Sequence, residues 1–116
     1  MDLESIQEFV NAMPGVSEDL KWGHHLCFLV GGKMFGIVDL NDTPLTISFK
    51  TDGENFAELI SHPQIVPAPY LGRSQWVMLN DINVLPNAAL MDHLRRAHQL
   101  ISAKLPAKTR KELGLH

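Results

Sequence analysis

Apolar residues recur at three- and four-residue spacing over positions 2–12. Leu3, Ile6, Val10 and Met13 share one side with Phe9 beside them, and Asp2, Glu4, Gln7 and Glu8 supply the polar side. That period predicts an amphipathic helix whose acidic first turn suits the helix dipole. Met13-Pro14-Gly15 should stop it, because neither proline nor glycine continues a helix comfortably.

The pattern then changes to that of strands. Four are predicted: Ser17–Trp22, His24–Val30, Lys33–Leu40 and Leu45–Lys50. The second and third are joined through Gly31-Gly32, a pair suited to a tight hairpin turn. Asn41-Asp42-Thr43-Pro44 places four turn-forming residues in succession. In the fourth strand Leu45, Ile47 and Phe49 alternate with Thr46, Ser48 and Lys50, the period-two signature of a half-buried strand. The short connections imply an antiparallel meander.

Thr51 and Glu54 have capping-box spacing, so a helix over about 53–61 should follow, with Phe56, Leu59 and Ile60 inward and Pro63 ending it. Residues 64–71, interrupted by Pro67 and Pro69, read as extended or looping, and 74–80 as a further strand. Pro86 suits the first turn of a long helix over about 86–103, with Leu90, Leu94, Ala97 and Ile101 as its inward stripe. A short basic helix over about 107–113 closes the chain. The expectation is one α+β domain spanning 1–116, an antiparallel sheet with helices.

Composition bounds the class more than the chemistry. The chain has 116 residues, 45% of them hydrophobic and 20% charged, ordinary values for a globular domain. No apolar run approaches the ~20 residues of a membrane-spanning helix. Met1-Asp2-Leu3-Glu4-Ser5 lacks the basic-then-apolar start of a secretory signal, so a cytoplasmic protein without membrane contact is expected. A single cysteine, Cys27, leaves no internal disulfide and no multi-cysteine zinc site.

Charge is split along the chain. Residues 1–60 hold ten acids against Lys21, Lys33 and Lys50, whereas residues 86–116 hold six cations against Asp92 and Glu112. A net charge of −3 does not suit binding nucleic acid by bulk charge. Only a local basic element such as Lys104, Lys108, Arg110 and Lys111 could contact phosphates.

Candidate chemistry is sparse. His25 and Cys27 share a strand face but fall short of a zinc ligand set; a buried Cys27 among surface histidines is the expectation. Asp2, Glu4, Glu8, Glu18 and Asp19 could form a weak cation ridge, and read more simply as a solvated face. Gly31-Gly32-Lys33 lacks the spacing of a phosphate loop. No nucleophile, acid–base pair or complete metal set emerges, so no enzyme, cofactor or metal site is expected.

Taken in order, Met13-Pro14-Gly15, Lys21-Trp22-Gly23, Gly32-Lys33-Met34-Phe35, Pro67-Ala68-Pro69-Tyr70, Trp76-Val77-Met78-Leu79 and Lys104-Leu105-Pro106-Ala107-Lys108 resemble the MmcQ/YjbR family of small bacterial proteins. The resemblance covers nearly the whole chain. It implies a CyaY-like (frataxin-type) α+β fold with helices packed on one face of an antiparallel sheet. It also implies a small non-enzymatic protein carrying a DNA-binding, double-wing label. On that reading Lys33, Lys50 and Arg73 would meet phosphates, Tyr70 or Trp76 would stack on bases, and Lys104, Lys108, Arg110 and Lys111 would add charge. DNA, bound with low affinity, is then the partner. The alternatives are a protein-interaction module docking a partner on its open sheet face or its Tyr70–Trp76 region, and, by fold analogy, a frataxin-like metal binder. Both tryptophans, Trp22 and Trp76, are expected in the core, where aromatic side chains dominate burial.

Overall fold

The computed structural model describes residues 1–115. Helix α1 (Leu3–Asn11) precedes strands β1 (Val16–Lys21), β2 (His25–Val30), β3 (Lys33–Asp39) and β4 (Thr46–Lys50). Helix α2 (Gly53–Leu59), β5 (Ile65–Pro67), a single 3₁₀ turn (Gly72–Ser74) and β6 (Trp76–Leu79) follow, and α3 (Asn87–Ser102) and α4 (Ala107–Glu112) end the chain. The strands form one antiparallel sheet in the order β1-β2-β3-β4-β6-β5. The predicted meander is its first four strands. The stretch expected to be extended or looping contributes β5, a three-residue edge strand beyond β6. Among the described residues no helix is long and apolar enough to cross a membrane.

Strand register assigns the two faces. Leu26, Val38, Ile47, Leu79 and Ile65 stand in one row across five strands, all buried and all in the core. Against that face lie Ile6 and Val10 of α1 and Leu90, Leu94 and Ala97 of α3, each fully buried. These are the inward stripes read from the helical period, so both helices cover the same side of the sheet. The parallel row on the opposite face is Cys27, Ile37, Ser48, Met78 and Val66.

The hairpin forms as its glycines require. Gly31 and Gly32 both hold positive φ, 57° and 79°, the two left-handed positions that a two-residue turn between twisted strands demands. Leu105 packs onto Gly31 so closely that a Cβ there would stand 2.7 Å from its Cδ1. Farther along the same pair, register shifts between Phe28 and Leu29, leaving Phe35 as the extra residue of a β-bulge. Phe35 turns into the core, and bare Gly36 leaves room for the Phe28 ring.

Helix starts differ from the expected capping box by one residue. The carboxylate of Asp52, not the hydroxyl of Thr51, caps α2 by accepting the Asn55 amide at 2.9 Å. Thr51 is buried and donates its hydroxyl to the Gln75 carbonyl at 2.6 Å. That bond fastens the loop before β6 to the start of α2. Asp2 caps α1 in the same manner through the Ser5 amide.

Two further expectations are corrected. Trp76 is in the core region at 5% exposure, but Trp22 is 77% exposed. The histidines are not uniformly superficial: His98 is buried between Phe35 and the Pro14 carbonyl, and His93 stacks on Phe49. Asp2, Glu4, Glu8, Glu18 and Asp19 are all exposed, as a solvated face requires; Glu18 accepts hydrogen bonds from Gln7 and Asn11 of α1, and Asp2 caps that helix.

Candidate functional site: an aromatic-flanked groove on the open sheet face

Trp22 opens the β1–β2 connection with φ of 53°, and Gly23 follows at 75°. Two left-handed residues in succession turn the chain back on itself and leave the indole in water. Across the sheet, the loop after β5 carries Tyr70, also left-handed at 64° and fully exposed. A large apolar side chain left in water forgoes roughly 1.5–3 kcal/mol of burial, and left-handed backbone at a non-glycine residue costs about 1–3 kcal/mol more. Both costs fall on the same two aromatic residues.

Between them lies a groove of about 400 Å³. Its floor is Met34, Ile37 and Met78 with Thr46 and Ser48, and Pro69, Tyr70 and Leu71 line it opposite Trp22 and His25. The size is at the lower end of the range for ligand-binding clefts. Besides Tyr70, the ionisable groups that line it are His25, Asp39 and Asp42; among the described residues no lysine or arginine does.

One end of the groove holds a cluster that sequence reasoning missed. His24 Nδ1 lies 3.0 Å from Asp39 Oδ1, and His25 Nε2 lies 3.3 Å from Asp39 Oδ2. The Asn41 amide also donates to Asp39 Oδ1 at 3.0 Å. Burial raises the Asp39 pKa, but the Asn41 amide and the neighbouring His24 and His25 outweigh it and hold the carboxyl below its usual value. The indole of Trp22 meets the His25 ring edge to face at 5.4 Å.

The bulge sets this cluster's register. Beside the turn Val30 pairs with Lys33 and Leu29 with Met34; unbroken, that register would bring Val38 opposite His25. The extra residue Phe35 shifts every later pair by one, so Asp39 faces His25 instead. A one-residue shift exchanges the faces of a strand, and here it replaces an aliphatic side chain with a carboxylate. Gly36, directly after Phe35, is the sequence signal that could have disclosed it, because glycine within a strand often marks a bulge.

The residues assigned to phosphate contact are not gathered in the groove. Lys33 sits exposed beside the hairpin turn, Arg73 is exposed in the 3₁₀ turn, and Lys104, Lys108 and Lys111 are exposed at the end of α3 and on α4. Arg110 is half-buried. Lys50 donates to the Ser74 carbonyl, and burial, aided by the charge of nearby Lys104, lowers its pKa. Of all the residues assigned to nucleic acid, whether for phosphate contact or for stacking, only Tyr70 lines the groove. Cys27, two positions from His25, is fully buried, and that burial raises its thiol pKa.

A family model for YjbR matches residues 11–100. The chain belongs to the YjbR family. A crystal structure of the Deinococcus radiodurans protein DR2400, described as a DUF419 domain, is similar at a TM-score of 0.88 and 30% identity, covering 98% of this chain and 88% of that one. A Pseudomonas syringae protein is similar in fold, with a TM-score of 0.72 at 16% identity over 86% of this chain and 98% of that one. Comparison with curated proteins finds no match. The YjbR family thus fits a small α+β protein whose two faces differ: helices cover one and the groove opens on the other.

Proposed function

We propose that this YjbR-family chain is a non-enzymatic binding module whose open sheet face docks an extended segment of another protein. The observation that carries this reading is the pair Trp22 and Tyr70, both exposed and both lining one apolar groove. Exposed aromatics around an apolar floor have the composition of interface hot spots. The segment that fits has an apolar side chain for the Met34–Ile37–Met78 floor and a lysine or arginine beside it. The Asp42 carboxylate lines the groove, and a cation over the face of Trp22 or Tyr70 gains about 0.5–1 kcal/mol or more. Among the described residues no lysine or arginine lines the groove, so a phosphate there would face the Asp42 carboxylate without a basic side chain beside it. Selection from a random peptide display library tests the reading. Enriched peptides should pair an apolar residue with a basic one and lose binding to Trp22→Ala and Tyr70→Ala.

The double-wing DNA-binding reading draws its cations from outside the groove. Lys104, Lys108 and Lys111 are each exposed near the end of the chain, and Lys50 is close enough to Lys104 to feel its charge. Lys33 and Arg73 would extend this contact, with Tyr70 stacking on a base. Fluorescence anisotropy with labelled DNA tests it: affinity should fall steeply with salt and be lost when Lys104, Lys108 and Lys111 become glutamate. Absence of binding at low salt excludes it.

A further inference from the structure

We propose that His24, His25 and Asp39 form a binding site for a borderline divalent transition-metal ion of the zinc type, with an open coordination position at the mouth of the groove. The site is independent of the docking reading, since it rests on different donor atoms and needs no peptide.

Geometry carries the proposal. One ligand atom from each of the three residues lies within 4.8 Å of the other two. A zinc ion holds nitrogen and oxygen ligands at about 2.0–2.2 Å in a tetrahedron, which places neighbouring ligand atoms roughly 3.3–3.5 Å apart. The two nitrogen–oxygen separations, 3.0 Å to Asp39 Oδ1 and 3.3 Å to Asp39 Oδ2, involve different carboxylate oxygens; whichever oxygen binds, one edge of the triangle is already close to that length and the others stay within 4.8 Å. Small side-chain rotations suffice to open the triangle around an ion.

The backbone is arranged to produce this convergence. Consecutive strand residues point to opposite faces, so adjacent histidines would ordinarily diverge. The left-handed Trp22 and Gly23 hold His24 in a turn before β2 begins at His25, and both imidazoles reach one carboxylate. The Leu40 amide donates to the His24 carbonyl at 2.8 Å and ties the end of β3 to the start of β2 there. The bulge at Phe35 supplies the third ligand by bringing Asp39 into register. Asn41, whose amide holds Asp39 Oδ1, orients the carboxylate as an outer-shell partner does in metal sites.

The donor chemistry selects the ion. Two imidazoles and one carboxylate suit zinc, cobalt, nickel or copper, whereas calcium and magnesium prefer all-oxygen sites. Each imidazole now directs one nitrogen at Asp39. A neutral ring can carry its proton on the other nitrogen instead, so an ion can replace both shared protons without either histidine losing its N–H. Three protein ligands leave a fourth position for water. The side chains of His25 and Asp39 are 31% and 24% exposed, open enough for an ion to enter from the groove.

The remaining described histidines offer an internal control. His98 Nε2 is occupied by the Pro14 carbonyl, and His62 Nδ1 accepts the Gln64 amide. The test uses the full chain without a polyhistidine tag, titrated at neutral pH with zinc by calorimetry and with cobalt(II) by visible absorption. One equivalent should bind, with the intense absorption of four-coordinate cobalt. His24→Gln, His25→Gln and Asp39→Asn should each weaken binding about 10-fold or more, and His62→Gln should leave it unchanged. Should Asp39→Asn fail to fold, ¹⁵N spectra of the wild-type imidazoles decide: zinc should shift His24 and His25 and leave His62, His93 and His98 in place. No binding in large metal excess, or stoichiometric binding that survives all three substitutions, overturns the proposal.

Discussion

His98 Nε2 and the carbonyl of Pro14 lie 2.9 Å apart, a bond that joins the middle of α3 to the turn between α1 and β1. The ring also meets Phe35 edge to face at 5.5 Å, so one buried imidazole ties the helix layer to the bulged residue of β3. Replacing His98 with leucine keeps the volume and removes the bond. We expect a loss of about 1–2 kcal/mol, read as a lower urea midpoint at unchanged slope.

The hairpin glycines should differ in cost. Both require left-handed backbone, but a Cβ on Gly31 would strike Leu105 whereas one on Gly32 meets nothing within 4 Å. Gly32→Ala should therefore cost about 1 kcal/mol from backbone strain alone. Gly31→Ala should cost clearly more, and that cost should shrink when it is introduced into Leu105→Ala rather than into the wild type. Thermal unfolding of the wild type, the three single variants and the double variant measures this.

Asp52 gives a pH-dependent prediction. The Asn55 amide, above all, holds its carboxyl below the usual value. A carboxyl whose folded pKa is depressed stabilises the fold fully above its unfolded pKa near 3.9 and loses that contribution as pH falls through the folded value. Asp52→Ala should cost about 1 kcal/mol at neutral pH, a typical cap loss. The gap from wild type should close below the ordinary carboxylate range, as chemical denaturation at several pH values would register.

Cys27 has no exposed surface, and burial raises its thiol pKa. The thiolate is the reactive form, so a disulfide reagent at neutral pH should modify the native protein only as fast as it opens. Titration in denaturant should release one thiol per chain. Rapid modification of the native protein would contradict this placement.

The elements were legible because local rules governed them. The alternation of Leu45, Ile47 and Phe49, the stripe of Leu90, Leu94 and Ala97, and the Gly31-Gly32 turn all appear where period and turn chemistry place them. The site was less legible because it depends on register and handedness. Asp39 meets His25 only through the extra residue at Phe35, and no hydrophobic period distinguishes a bulged strand from a regular one. Trp22 read as core because its size favours burial, yet its left-handed backbone at the end of an edge strand turns it outward. A motif marks Tyr70 but carries no sign of the groove that this residue lines.

The most direct test of the docking account is a methyl and amide chemical-shift map of the chain titrated with a selected peptide. The account predicts that Met34, Ile37 and Met78 and the Trp22 indole shift together while the amides of α4 stay in place, and that Trp22→Ala abolishes the shifts in a folded protein. Shifts confined to α4 and the Lys33 turn, or a groove that stays silent at saturating peptide, would contradict it.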